Sequence, residues 1–416
     1  MNQKLNREED FMERLRFKDE NGNEFPKWEY IKLCKFGKGY TGISGLNKDY
    51  FNTTKDNAMY ITYMDVFSKS AIREPNGTFL NENGKQNVVK HGDILFTTSS
   101  ETRDEVGIAS VYLGKKPTYL NSFCFGWTSD EKRDHYFMSY LLNSNSVRRK
   151  IIRLGQGSTR YNISKNKLLD IPMEMPTYKE QEKIGGFLSA FDRLIEKQRD
   201  KVDLLKKYKY KYTEILLDIN LKFDNQPNNL YATWENGKLG KYINCFSGGT
   251  PSSTNSNYYN GEIPFIRSSE IDKTDTKLFI SESGFKNSSA KMVREGDLLF
   301  AMYGATSGKT AISKISGAIN QAVLAIRSSE FNHYFLHIYF QHNRKKLVTK
   351  YTQGGQPNLS SKIIKNMKVP KPNLVEQEKI GGFLSAFDRL IQKEEKTIKK
   401  YESMKKSYLQ RLFYSG

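Results

Sequence analysis

The chain has 416 residues, 37% of them apolar, with a formal net charge of +20 and a pI near 9.5. That is enough apolar material for ordinary cores, so a disordered chain is excluded, and the length suggests two to four domains. No run approaches the roughly 18 apolar residues that span a membrane. The dispersed Cys34, Cys124 and Cys245 offer neither a disulfide framework nor a zinc site and fit a reduced cytoplasmic protein. The positive balance points to a polyanionic partner, most simply nucleic acid.

In chain order, residues 1–27 form a charged N-terminal segment without the apolar core of a signal peptide. Residues 28–176 read as a mixed globular head. Within it, Gly37 to Gly42 satisfies GxGxxG, but no convincing helix follows, so a flexible loop is expected instead of a dinucleotide site. Ile94–Thr98 reads as a short strand, and roughly 133–153 as one moderate helix. Pro172 and Pro176 punctuate the end of this head, and residues 177–220 read as one long helix.

The pattern then starts again. Residues 221–372 read as a second head, with a strand at Leu298–Met302, a helix over roughly 331–349, and Pro370 and Pro372 at its end; residues 373–416 form a second long helix. In this head, Gly304-Ala-Thr-Ser-Gly308-Lys309-Thr310 comes close to a phosphate-binding P-loop but has one residue too few between Gly304 and Gly308. Loop size sets which backbone N–H groups converge on phosphates, so ATP binding is not expected here. His333 and His337 lie four apart on a helix but form no HExxH, and they read as structural residues, with no metal expected.

The two halves repeat each other. The run Glu180 to Ile195 returns unchanged as Glu376 to Ile391, 196 residues further on. Weaker matches extend the repeat through the heads: Trp28-Glu29 with Trp234-Glu235, Gly92–Phe96 with Gly296–Phe300, His135 with His333, and Asn162 with Asn358. The long helices carry alternating four- and three-residue apolar spacings, the mark of a coiled-coil seam. The first seam is Ile184, Leu188, Phe191, Ile195, Val202 and Leu205; the second is Ile380, Leu384, Phe387, Ile391, Ile398 and Tyr401. Both are interrupted at matching places, by Gln198 and Glu394 and by Lys209 and Lys405. The expected fold is α+β: two mixed α/β heads separated by two long helices that pair as an antiparallel coiled coil, an internal pseudo-twofold repeat. Residues near the N-terminus are expected beside the C-terminal helix.

Polar side chains that follow the apolar strands are the candidate DNA contacts, through phosphates or base edges. In the first head these are Thr62, Tyr63, Thr98, Ser99, Arg103, Arg160 and Tyr161. In the second they are Arg267, Ser268, Tyr303, Gln353, Gln356 and Asn358. No catalytic constellation stands out. The competing readings are a scaffold whose basic heads bind protein or RNA without sequence choice, and a self-sufficient NTPase or methyltransferase.

The layout resembles the specificity subunits of type I restriction–modification systems over essentially the whole chain. The resemblance is carried by Trp28-Glu29 and Trp234-Glu235, the Gly248-Gly249-Thr250-Pro251 loop, the paired Gly-Asp strands at 92 and 296, and the Glu-Gln-Glu-Lys-Ile helix starts at 180 and 376. The first head departs from it, with Thr41-Gly42-Ile43-Ser44 where the second has its Gly-Gly-Thr-Pro loop. The resemblance implies a DNA-binding, cytoplasmic, non-catalytic subunit. Each head would be a target recognition domain for half of a split DNA site, with the helices setting the gap and docking two methyltransferase (M) subunits, joined by restriction (R) subunits. S-adenosylmethionine, ATP and Mg would then belong to those partners, with no cofactor in this chain.

Overall fold

The computed structural model describes residues 14–45, 51–52, 58–77, 79–80, 86–116, 118–217, 234–351 and 358–414. They fall into two compact units: Met1–Arg199 with Lys396–Gly416, and Asp200–Glu395. Each unit holds one head and a stretch of each long helix. These strut helices are continuous over Tyr178–Leu217 and Leu374–Leu412, 40 and 39 residues. A helix of this length measures about 60 Å.

The first head is built on a five-stranded sheet in the order Gly37–Thr41, Cys124–Ser129, Ile94–Thr97, Ala109–Tyr112 and Ala71–Ile72. The strand Ile94–Thr97 is buried along its whole length, which is why it is apolar without alternation. A four-stranded sheet, Thr118–Leu120, Ala58–Ile61, Phe79–Leu80 and Phe51–Asn52, stands beside it. The second head repeats the plan. Asn244–Ser247, Val323–Arg327, Leu298–Ala301 and Thr310–Ile312 form one sheet; Phe279–Ile280, Tyr259–Ile266, Gly317–Ile319 and Lys291–Val293 form the other. A two-stranded ribbon closes each head where its strut begins, Glu29–Lys32 against Pro172–Met175 and Glu235–Lys238 against Lys368–Lys371.

Two sequence expectations need correction. The GxGxxG stretch is not a flexible loop: Gly37–Thr41 is a strand paired antiparallel to Cys124–Ser129. Its glycines serve close approach, since a Cβ on Gly37 would lie 2.2 Å from the Thr128 carbonyl oxygen. The single helix expected near 133–153 is two, His135–Leu142 and Asn145–Arg153. Its counterpart, His333–Tyr351, is unbroken. The cause is a two-residue insertion. The side chain of Asn143 turns back to the Ala109 backbone, accepting from its N–H at 3.0 Å and donating to its carbonyl at 2.6 Å. Gln341 reaches the matching carbonyl, that of Thr310, at 2.9 Å without leaving the helix.

The repeated run at the start of each strut is a joint. Gln181 donates to the Pro176 carbonyl and accepts from the Asp134 N–H; Gln377 does the same with Pro372 and Asn332. Asp134 and Asn332 in turn cap the first turn of each head helix, accepting from the Phe137 and Phe335 N–H groups at 2.7 and 3.0 Å. Gly185 leaves room for that cap, since a Cβ there would lie 1.9 Å from Asp134 Oδ1. Ile184 and Leu188 join the first core, Ile380 and Leu384 the second.

Within each unit the strut segments run antiparallel. In the first, the Tyr408 ring meets Phe187 and Phe191, and Arg199 pairs with Glu402. In the second, the Tyr212 ring meets Phe383 and Phe387, and Lys201 pairs with Glu394. Phe191, Ile195, Val202 and Ile391 are buried, while Leu205, Phe387, Ile398 and Tyr401 are half-buried. The lysines that interrupt the seams have matching partners. Lys405 Nζ donates to Asp192 Oδ1 at 2.5 Å while Tyr140 Oη donates to Oδ2. Lys209 Nζ donates to Asp388 Oδ1 at 2.5 Å while Tyr334 Oη donates to Oδ2. The outward face also repeats: Leu194 and Leu390 are each 45% exposed, and each stands beside an arginine laid along the helix onto Ser189 or Ser385.

The end of the second strut helix completes the first head. Leu412 and Phe413 lie in its core, with the Phe413 ring against Trp28 and Phe137. Arg14 Nε donates to the Tyr414 carbonyl, and the Leu15 N–H to that of Arg411. Residues 1–13, also expected near this helix, lie outside the described residues. Phe413→Ala is therefore expected to destabilise the first unit by about 3–5 kcal/mol, the usual range for such a truncation, measured by denaturant unfolding against the unchanged chain.

Candidate nucleic-acid interface

In both heads the apolar central strand runs into a polar rim. At the rim of the first head, Ser99 pairs with Asn162; in the second, Tyr303 pairs with Asn358. A loop closed by a glycine follows in each. Gly107 and Gly308 both take positive φ, +68° and +75°, and their N–H groups return to the Thr97 and Ala301 carbonyls. An arginine of the head helix staples each loop. Arg148 donates to the Gly107 and Asp104 carbonyls, Arg344 to those of Ser307 and Ala305. Burial pushes the Arg148 pKa down to about 10, so it remains cationic at neutral pH. The P-loop look-alike is this stapled loop: its carbonyls face Arg344, and Lys309 is ion-paired with Asp272 at 2.9 Å.

A second rim element follows the parallel strand pairs. Ile61 lies opposite Leu120, and Ile266 opposite Ile319. Thr62-Tyr63 and Arg267-Ser268 therefore occupy equivalent places. Thr62 caps a short helix, Tyr63–Ser68, in a capping box with Asp65. At the matching place Arg267 donates from Nε and Nη2 to Glu270 at 3.0 and 3.1 Å, and this pairing holds the Glu270 carboxyl below the usual carboxylate range.

The candidates of the first head converge in part. Tyr63, Ser99 and Arg160 line one cleft of about 380 Å³. Tyr63 Oη donates to the Ser99 carbonyl at 2.8 Å. Tyr161 pairs through its backbone with Ser100 beside the cleft. Thr98 is half-buried, its N–H bonded to the Phe123 carbonyl at 2.8 Å. Arg103 does not line the cleft; it is exposed on the stapled loop, with Nε turned to the Ile152 carbonyl at 3.4 Å. In the second head, Arg267, Ser268 and Tyr303 are half-buried and Asn358 is exposed at the rim, while Gln353 and Gln356 lie outside the described residues. The cleft also holds Met64 and Phe123, which the search for polar side chains passed over. The aligned turns Asn121-Ser-Phe123 and Asn320-Gln-Ala322 carry the signal that would have found Phe123.

The histidines serve the scaffold. His333 Nδ1 lies 2.9 Å from the Gly296 carbonyl, and His337 Nδ1 3.0 Å from Thr310 Oγ1. Burial pushes the His337 pKa down to about 4. Among the described residues no group of three or more His, Cys, Asp or Glu is placed to hold a metal. Nor is any helix among them long and apolar enough to cross a membrane.

The repeated heads and the duplicated strut define a class, and the comparisons agree with it. The family described as type I restriction modification DNA specificity domain matches residues 27–205 and again 231–402. The chain belongs to that family and carries its domain twice. It is a type I specificity subunit, a DNA-recognition component and not the catalyst. The type I restriction enzyme MjaIX specificity subunit of Methanocaldococcus jannaschii is 22% identical over 96% of this chain and 95% of its own length. The EcoR124I/EcoR124II specificity subunit of Escherichia coli is 27% identical over 37% of this chain and 40% of its own. The fold is shared with the type I restriction–modification S subunit from M. genitalium, at a TM-score of 0.63 and 16% identity, covering 98% of this chain and 100% of that one.

Arg267 is expected to read a base edge with its ion-paired guanidinium. Arg267→Ala should then relax the recognised sequence at one position, by about 1–3 kcal/mol of discrimination. A loss of affinity equal for all sequences, measured by binding to a panel of duplexes, would instead make it a phosphate contact.

Proposed function

We propose that each head reads one half of a bipartite, asymmetric DNA site. The observation that carries this reading is the pair of rims: equivalent backbone positions hold Ser99 and Tyr303, Phe123 and Ala322, Thr62 and Arg267. Side chains that differ on a shared frame suit different half-sites read from double-stranded DNA. The paired struts act as the spacer that sets the unread gap.

The struts also dock two methyltransferase (M) subunits. Leu194 and Leu390, with Arg193 and Arg389 beside them, repeat on outward faces, where packing within the chain does not require identity. Repetition on such faces suits two copies of one partner. Restriction (R) subunits complete the assembly. S-adenosylmethionine for adenine methylation, and ATP with Mg for cleavage, are held by those partners in the cytoplasm. A chain of similar fold, with a TM-score of 0.53 and 17% identity, comes from work on complex assembly and conformational transition of the type I system.

The test is a modified-base map of DNA from cells co-expressing this chain with its methyltransferase subunit. The expected result is methyladenine confined to one two-part motif and lost when this chain is omitted. Modification unchanged by the omission, with both proteins expressed, would move the weight to a sequence-blind scaffold. In the same cells, Leu194→Asp combined with Leu390→Asp is expected to abolish modification and co-purification of the methyltransferase subunit. Retention of both would remove this face from the docking surface.

A further inference from the structure

The rim of the first head carries apolar surface that its own fold does not need. Phe123 sits at the tip of the turn between Thr118–Leu120 and Cys124–Ser129 and is 50% exposed; Met64, on the same cleft, is 56% exposed. The turn does not depend on the phenyl ring. In the second head the same turn is closed by the same bonds, Asn320 Oδ1 accepting from the Ala322 N–H as Asn121 Oδ1 accepts from that of Phe123, with a methyl group in its place. Leaving a Phe and a Met half in water forgoes part of the stabilisation that full burial would give.

The rest of the cleft says what fits there. Tyr63 and Phe67, with rings 6.0 Å apart and nearly parallel, form another part of its wall. The Arg160 guanidinium lies over the Phe123 ring at 5.3 Å. Glu105 is engaged by the hydroxyls of Ser100 and Thr102, and Glu101 stands exposed at the edge. Carboxylates beside the opening disfavour a phosphate inside it. On the edges of duplex DNA, the apolar group that meets such a surface is the 5-methyl of thymine in the major groove, which Phe and other apolar side chains contact.

We propose that this cleft reads a thymine, its 5-methyl group seated between Phe123 and Met64 in the half-site recognised by the first head. The second head, with Ala322 at the matching tip, lacks the phenyl wall of this cleft. The proposal rests on the reading of the heads as DNA readers and names the base chemistry of one of them.

The experiment uses the complex of this chain with its methyltransferase subunit. Modified-base maps with wild-type chain and with Phe123→Ala identify the half-site that changes. Each thymine of that half, on either strand, is then replaced by deoxyuridine, which removes one methyl group, and binding is measured. One replacement is expected to weaken wild-type binding about fourfold, the value of one buried methyl group. It should leave Phe123→Ala unaffected and keep most of its effect in Phe123→Leu. A half-site without thymine, no effect of any deoxyuridine on the wild type, or an equal effect in Phe123→Ala would each overturn the proposal. A loss of affinity in Phe123→Ala together with indifference to deoxyuridine would instead make Phe123 a wedge between base steps. If Phe123→Ala fails to fold, the thymines of both halves are replaced in turn, and the wild-type arm together with Phe123→Leu decides. Failure of the broader reading looks different: modification would then not depend on this chain at all.

Discussion

Each head is held to its strut by one repeated joint, and the other features of the unit are placed by it. Ile184 and Leu188, or Ile380 and Leu384, belong at once to a helix seam and to a head core. A rotation of the strut would therefore expose core residues. Around this apolar anchor the polar groups add direction. Gln181 and Gln377 hold the backbone at the start of the head helix, and Asp192 and Asp388 each collect a tyrosine hydroxyl from the head and a lysine from the opposing strut. Half-exposed ion pairs contribute little stability on their own. Their value here lies in geometry, since charge-assisted hydrogen bonds are directional and a slipped seam would leave them unmade.

With the joint and the stapled loops held constant, the rims are free to differ. Arg148 and Arg344 each donate to two carbonyls of loops that differ in length, so one staple serves both. The insertion that splits the first head helix is absorbed in the same way, by Asn143 where the second head uses Gln341. What differs is the set of side chains at the equivalent rim positions: Phe123 or Ala322, Ser99 or Tyr303, Thr62 or Arg267. On the proposed reading, such a protein would change its target by substitution at a few rim positions and leave its cores untouched.

The struts were legible in the sequence because the heptad pattern is long and local, and their pairing because two seams with matching interruptions ask for one another. The repeat made the two heads legible as one plan. The GxGxxG stretch and the first head helix were misread for one reason: each depends on a distant partner. Gly37 to Thr41 becomes a strand only because Cys124 to Ser129 lies beside it, and Asn143 breaks a helix only because the Ala109 backbone is within reach. The polar rim candidates were found from their position after apolar strands, but that rule could not see Phe123, an apolar residue whose exposure is a property of the folded turn.

By itself, then, the sequence determined the duplication, the two long helices, their pairing and the family, since these rest on periodicity and on identity between copies. Only the tertiary structure decided what the seam lysines bond to, which rim positions are equivalent, and that an aromatic cleft opens at the rim of the first head. The physical reason is range. Periodicity is written along the chain, whereas a cleft is made by residues as far apart as Tyr63, Ser99, Phe123 and Arg160, whose meeting depends on the whole head being folded.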